Sequence, residues 1–442
     1  MVANSRPGEK IGTPGRRPVI EIEDVWVAGG TLIFKVELDP SIESFVNSGL
    51  FYFKYDLPVD EVPECILSIP LLGCLAPLAW TVGADLAIGD VDSEYLSCVH
   101  EIGSQMKKWY PEAVSDVSIV AKPVPTASGW NDGRRGLLYT GGVDSTASML
   151  RNGQADLSLF MIRGTPEIRL YEARYFKRVR DSLDPFVGSL GLEIHTVETN
   201  ALDVMDFRLL SSEKKDQFTD GWWENLAHSL VLLSACAPYT YLKGTGKLLI
   251  ASSFNQVVKA WGSTPATDQM VKWGGLHVVH DSYDLSRMKK VEQVIAPCAR
   301  ERGGSIPLRV CTGRKSVRLD SGALNCGRCE KCVRTMLQLM FCGLDPARCG
   351  FDTTSFVPAT IRAELESGRL KPAHNPNSWR SLFTTADPKY QALEGTYPGL
   401  GGLVSWLREW DFKPKVTLGE RMTNILAPRG SRRRKIAGAV LR

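Results

Sequence analysis

The chain has 442 residues, of which 43% are apolar and 23% charged. That length suits about two or three domains, each able to bury a core, and the composition excludes a disordered chain. The net charge of +4 is too small to argue for or against a nucleic-acid partner.

From residue 1 to 18 the sequence (MVANSRPGEKIGTPGRRP) is polar and rich in Pro and Gly, without the apolar core of a secretory signal, and reads as a flexible leader. Eleven cysteines, an odd count with no such signal, point to a reducing compartment, the cytoplasm. Residues 19–130 predict an α+β N-terminal domain. Val19–Glu23 alternates with period two, TLIFKVEL (31–38) and LFYFKY (50–55) suit strands, and 90–110 shows helical spacing through Tyr95, Val99 and Ile102. The uncharged stretch CILSIPLLGCLAPLAWTVGA (65–84) meets the length criterion for a membrane span. Its prolines and glycines, and the lack of flanking Lys/Arg, favour a buried strand, a turn and a buried helix. His100 has no ligand-spaced partner and reads as structural. Residues 115–135, with Pro123, Pro125, Gly129 and Gly133, suit a linker.

At residue 136 the character changes. Leu137-Leu138-Tyr139 is a short buried strand, followed by Thr140-Gly141-Gly142-Val143-Asp144-Ser145-Thr146 and a helix through Ala147, Met149 and Leu150. Strand, Gly-rich turn and helix together aim backbone N–H groups and a positive helix end at an anion. Thr140, Ser145 and Thr146 add hydroxyl donors. Asp144 suggests a Mg²⁺ ion between carboxylate and phosphate, or a helix N-cap. The stretch lacks the Lys of a Walker A loop. Gly244-Thr245-Gly246-Lys247 fails as one too, with Tyr241 and Leu248 at the positions that need Gly and Ser/Thr. The apolar run 157–162 predicts a strand buried on both faces. Tyr171, Tyr175, Val179 and Leu183 predict a helix that Pro185 ends or bends. Residues 193–198 and 248–252 predict further strands around a long helix over 222–242. This alternation means a parallel α/β sheet, with the loop at the carboxyl end of its first strand, where such sheets bind ligands.

Further candidates follow. Ser252 and Ser253 end a strand on the loop's edge, and Asp268 lies beyond. Ser286-Arg287-Met288-Lys289-Lys290 supplies three cations able to offset polyphosphate charge; Arg287 and Lys289 are taken as the binding pair. His277 and His280 sit in a strand-like run that sends their rings to different faces, so they are declined as metal ligands. Cys326, Cys329 and Cys332 form C-x-x-C-x-x-C, and Cys311 stands fifteen residues upstream. Four thiolates with no open position imply a structural Zn²⁺ site. An iron–sulfur cluster is the alternative, but Met336 stands where a ferredoxin-type run continues with Cys. Cys342 and Cys349 are alternative fourth ligands. Residues 351–428 read as a helical C-terminal region, with helical pieces at 359–366 and 403–410. Residues 429–442 read as a basic tail around Arg432-Arg433-Arg434-Lys435, of a kind usually solvated rather than bound to nucleic acid.

The segment Thr140–Ser145 resembles the S/T-G-G-x-D-S signature of the PP-loop ATP pyrophosphatase superfamily. Followed by Cys311, Cys326, Cys329, Cys332 and the position near Arg334, it resembles the 7-cyano-7-deazaguanine synthases of the queuosine pathway over roughly residues 136–344. The resemblance implies an α/β fold with a parallel-sheet PP-loop domain (adenine nucleotide alpha hydrolase-like) and a Cys₄ zinc site over 131–350. It implies ATP, Mg²⁺ and Zn²⁺ as cofactors, Thr140–Thr146 around the phosphates, and Asp144 and Ser145 as catalytic residues. The implied reaction adenylates the carboxylate of a 7-deazaguanine base for attack by ammonia, with the segment between Cys311 and Cys326 helping to hold the ring. Thr140 stands where the family usually has Ser, the Cys311–Cys326 spacing is wider, and both flanking regions are additional. In these respects the chain looks like the enlarged synthase-like proteins of antiphage operons, some of which resemble ligases that pass the activated carboxylate to a protein amine. An operon-encoded protein partner is then implied; the basic tail argues only weakly for nucleic acid, and the apolar stretch 65–84 does not point to a membrane. A non-catalytic nucleotide-binding subunit is the competing reading. A tRNA-thiolating enzyme would need a catalytic Cys pair near the nucleotide, and the grouped cysteines are better used by zinc.

Overall fold

A computed structural model describes residues 16–412, apart from 128, 154, 215, 219, 254–259, 312–321, 372–375 and 386. Most of the leader, the basic tail and the central part of the Cys311–Cys326 segment lie outside the described residues. The chain divides into two compact units.

The first unit takes in Met1–Thr140, Ser148–Lys177 and Asp184–Tyr283. It is built on one sheet of eleven strands: β1 (Val19–Ala28), β2 (Thr31–Leu38), β3 (Leu50–Tyr55), β4 (Asp85–Asp92), β5 (Ile119–Val124), β6 (Arg134–Leu138), β7 (Leu157–Arg163), β8 (Ile194–Thr199), β9 (Thr245–Ala251), β10 (Lys272–Trp273) and β11 (Leu276–Asp281). Their order is β10-β11-β9-β6-β7-β8-β3-β2-β1-β4-β5. The sheet is largely parallel: β6 pairs in parallel with β7 and β9, β7 with β8, β9 with β11, and β4 with β1 and β5. The antiparallel β3–β8 pairing carries it without a break into the N-terminal strands.

The central strands form as their sequences require. In β7, Leu159, Phe160 and Met161 are all fully buried, the mark of a strand covered on both faces. Burying each such side chain contributes about 1.5–3 kcal/mol. In β2 the alternation places Leu32, Phe34 and Val36 in the core.

Helices α1 (Ile69–Val82) and α2 (Ser93–Trp109) cover the N-terminal part, and α3 (Val143–Arg151) and α4 (Ala173–Gly188) follow β6 and β7 in the chain. The buried strand expected at the start of 65–84 is not formed. A short helical turn, Glu64–Leu67, leads into α1 instead. The run is dominated by Leu and Ala, good helix formers. Pro70 sits in the first turn, where its missing N–H is no loss, and Pro77 is accommodated inside the helix. Glu64–Val82 is the one helix among the described residues long and apolar enough to cross a membrane, and 94% of its apolar window is buried within the protein. Its polar atoms are met internally: Trp222 Nε1 donates to Thr81 Oγ1 at 2.8 Å.

The linker expected over 115–135 contains β5, and α4 continues through Pro185 to Gly188. The single helix expected over 222–242 is a π turn (Trp223–Ala227), then α5 (His228–Ala235), then a separate segment, Ala237–Leu242, with Pro238 in its first turn.

The second unit comprises Gly141–Ala147, Arg178–Leu183 and Asp284–Arg442. Its helices include α6 (Arg287–Lys290), α7 (Glu330–Phe341), α8 (Pro358–Glu366) and α9 (Leu400–Glu409). The buried face of α7 is continuous from Cys332 to Phe341.

Candidate functional site

Thr140 is exposed and follows β6. Its parallel neighbour β9 ends at Ala251, so Ser252 leaves from the same sheet edge, buried, with its N–H donating to Asp281 O at 2.8 Å. Asp268 is fully buried against β11, the other neighbour of β9: its carboxylate accepts from Ser263 at 2.8 Å and meets His280 Nδ1 at 2.7 Å. His277 is exposed and His280 buried, as alternation along β11 requires. The structure pairs Asp268 with His280.

The remaining candidates lie in the second unit. Gly141 has φ +72°, a conformation that favours glycine, and a Cβ there would stand 2.6 Å from Leu183 Cδ1 and push that side chain aside. Its carbonyl accepts the Arg309 N–H at 2.7 Å. Gly142 O starts the helix by accepting Thr146 N–H at 2.9 Å and lies 3.4 Å from the Ser145 hydroxyl. Val143 is buried and opens α3, which places Asp144 in its first turn. The Thr146 hydroxyl is buried, with no hydrogen-bond partner among the described residues.

Asp144 is held between two cations. Arg287 Nη2 donates to Oδ2, Arg287 Nε lies 3.4 Å from Oδ1, and Lys290 Nζ donates to Oδ1 at 3.1 Å. Burial alone would raise this carboxyl, but the Arg287 and Lys290 charges outweigh it and hold the group well below the usual carboxylate range. Lys289, the residue expected beside Arg287, turns away: it is one-third exposed and pairs with Glu292 at 2.6 Å. Helical spacing explains the exchange. Residues three apart share a face, so Arg287 and Lys290 converge while Lys289 does not. Lys290 is 1% exposed.

The cysteines converge as well. All four Sγ atoms of Cys311, Cys326, Cys329 and Cys332 lie within 4.8 Å of one another. Cys329 and Cys332 are 3.4 Å apart, and Cys326 and Cys332 3.8 Å. A tetrahedral Zn²⁺ with bonds of about 2.3 Å needs sulfurs roughly 3.8 Å apart, so the set can hold a metal ion such as zinc. Cys342 and Cys349 are not in the cluster. Four thiolates this close cannot all ionise without a cation between them. Gly327 makes the knuckle turn with φ +63°, and a Cβ there would stand 1.8 Å from Asp352 O.

Two supporting residues are not apparent from the sequence. Asn325 is fully buried, and its side chain accepts from Val310 N at 2.7 Å and Cys311 N at 3.0 Å while donating to Leu308 O at 2.7 Å and Gly350 O at 3.0 Å. It splints the Cys311 segment to the knuckle. Arg309, two residues before Cys311, ties that segment to the Gly141 carbonyl. Lys290 could have been found from three-residue spacing; a lone Asn before a Cys carries no such signal.

The fold and site define an α/β protein with a largely parallel sheet, a carboxylate caged by two cations at a Gly-rich helix start, and a four-cysteine centre able to bind metal. No family model, curated protein or solved structure matches the chain.

Proposed function

We propose that this chain is an ATP-dependent, AMP-forming carbon–nitrogen ligase that activates a carboxylate, that of a 7-deazaguanine base, for attack by ammonia or an amine. The observation that carries the reading is Asp144, in the first turn of α3 directly after Gly141-Gly142, with Arg287 and Lys290 on its carboxylate. A helix start with a glycine at its turn suits a polyphosphate, and a partly buried Arg287 with a buried Lys290 are the counter-charge that such a ligand needs in place of a Walker Lys. Asp144 has the oxygen ligands that Mg²⁺ prefers; the ion would neutralise polyphosphate charge.

In the proposed reaction the substrate carboxylate oxygen attacks the α-phosphorus and pyrophosphate departs. The nucleophile's nitrogen then attacks the acyl carbon, AMP leaves with the bridging oxygen, and the nitrogen loses a proton. Ammonia gives an amide, which a second ATP can dehydrate to a nitrile; a protein amine gives a conjugate. The four-cysteine site has no open position, so zinc there is structural.

The test is a mass-spectrometric product assay with ATP, Mg²⁺ and 7-carboxy-7-deazaguanine, with and without ammonia or a protein encoded beside this chain. AMP with a nitrile identifies a synthase, and AMP with a base-sized mass added to protein identifies a conjugating ligase. ADP and phosphate would sink the proposal.

A further inference from the structure

Strands β3, β2, β1, β4 and β5 are neighbours at one end of the sheet. Alternation puts Leu32, Phe34 and Val36 of β2, and Phe51 and Phe53 of β3, in the core. The residues between them point to the opposite face, and the register aligns those in rows across the strands. Trp26 of β1 pairs with Ile33 of β2, and Ile33 with Tyr52 of β3. In the next row Lys35 pairs with Asp24 on one side and Leu50 on the other. Beyond it Glu37 pairs with Glu21, Glu21 with Ala87 of β4, and Ala87 with Val120 of β5.

The open face of antiparallel strands is ordinarily polar, because their apolar residues alternate inward. This one breaks the rule. Trp26 is 41% exposed, Leu50 46% and Val120 62%, and they are three of the five large apolar side chains that stand exposed among the described residues. Ile33 and Tyr52 are partly exposed beside Trp26. An apolar row with an aromatic ring at each end, bordered by charges, has the composition of an interface core and its rim. The charges are sorted. Glu21, Asp24 and Glu37 lie on the side of the row toward Val19, where Glu23 pairs with Lys35 at 2.5 Å. Lys54, level with Thr31, lies on the other side. Five strands about 4.8 Å apart, each about eight residues long at about 3.3 Å per residue, present roughly 600 Å². Two such faces bury about 1,200 Å², the area at which specific interfaces begin.

We propose that this face is the contact of a symmetric dimer between two copies of the chain. A twofold axis along the Trp26–Ile33–Tyr52 row turns one copy end for end. The apolar row then meets its own counterpart, and Lys54 of each copy moves toward Glu37 of the other. A face that carries both signs, sorted to opposite ends, complements itself better than it complements a uniformly acidic or basic partner. The proposal does not depend on the ligase reading.

The test is sedimentation velocity of the full-length, zinc-loaded protein from about 0.5 to 50 μM, the range in which an interface of this modest size dissociates. Wild type is expected to pass from monomer to dimer across that range. Trp26→Glu is expected to weaken the dimer by about 100- to 1000-fold, because each dimer loses two central aromatic anchors. Glu37→Lys and Lys54→Glu are each expected to weaken it by about 10-fold, since each sets like charges together twice. An equimolar mixture of these two variants should dimerise as wild type does: the reversed side chains meet each other, and so do the native ones. All three positions are exposed, so the circular dichroism spectrum of each variant should match wild type. A wild type that stays monomeric would overturn the proposal, whether the face is then bare or covered by residues 1–15, which acetylation of Lys54 with and without those residues distinguishes. A dimer that Trp26→Glu leaves intact would place the contact elsewhere and overturn it too. Failure of the mixture to recover would refute the twofold arrangement.

Discussion

Substituting Asn325 with Ala tests how the metal centre is built. The Asn325 side chain satisfies two N–H groups, of Val310 and Cys311, and two carbonyls, of Leu308 and Gly350, at 2.7–3.0 Å in a fully buried position. Ala takes this partner from the Val310 and Cys311 N–H groups and from Leu308 O, whereas Gly350 O keeps the Leu324 and Asn325 backbone N–H groups at 3.1 Å. Each buried group left unpaired costs about 1–3 kcal/mol, so even if water re-satisfies half of the three the loss is roughly 3 kcal/mol. The same change frees the Cys311 backbone, and loss of a residue that orients a ligand typically weakens metal binding by about 10–100-fold. The assay is competition for Zn²⁺ with a chromophoric chelator, paired with urea unfolding at fixed metal followed by tryptophan fluorescence. A loss under about 1 kcal/mol with unchanged zinc affinity would refute the view that Asn325 splints Cys311 to the knuckle.

Other variants probe the carboxylate cage. Lys290→Met removes a buried partner of Asp144 and is expected to cost about 1.5–3 kcal/mol, while Lys289→Met, on a one-third exposed surface pair, should stay within about 0.5 kcal/mol; comparing the two melting curves decides this. The Asp144 carboxyl titrates below its ordinary value of 3.8. Its contribution to stability is therefore complete above that value and is lost as pH falls through the lowered folded-state value. The stability gap between wild type and Asp144→Asn should be flat above about pH 5 and narrow below about pH 4; urea midpoints across that range would show a gap widening toward acid if the cage were wrongly drawn. Gly141→Ala forces a left-handed backbone onto Ala and a Cβ onto Leu183, and is expected to lower stability by about 2–4 kcal/mol in thermal denaturation.

What the sequence reveals, and what it hides, follows from which interactions are local. The run at β7 and the turn Thr140–Thr146 are legible because strand burial and turn chemistry act over a few neighbouring residues. Three thiols within seven residues announce a metal site for the same reason. The strand β5 is hidden in a Pro-rich stretch because it lies at the sheet edge, where Pro123 loses no essential bond. Helix α1 is hidden because it is buried all round, which erases the periodicity that separates helix from strand. The β3–β8 pairing that makes one sheet of the N-terminal and central strands joins residues some 140 positions apart, such as Tyr55 and Val197. No local pattern encodes that. Lys290 and Asn325 fall between these cases. The first obeys a helical spacing that a short cationic run conceals; the second acts through four backbone groups that only the folded chain brings together.

The most direct measurement follows the label of [γ-³²P]ATP through the reaction with Mg²⁺ and 7-carboxy-7-deazaguanine, in wild type and in Asp144→Ala. The account predicts label in pyrophosphate, one AMP formed for each pyrophosphate, and neither product from Asp144→Ala. Label released as inorganic phosphate with ADP would contradict cleavage between the α and β phosphates. Label that never leaves ATP in the presence of the base, ammonia and any neighbour-encoded protein would contradict the ligase reading itself.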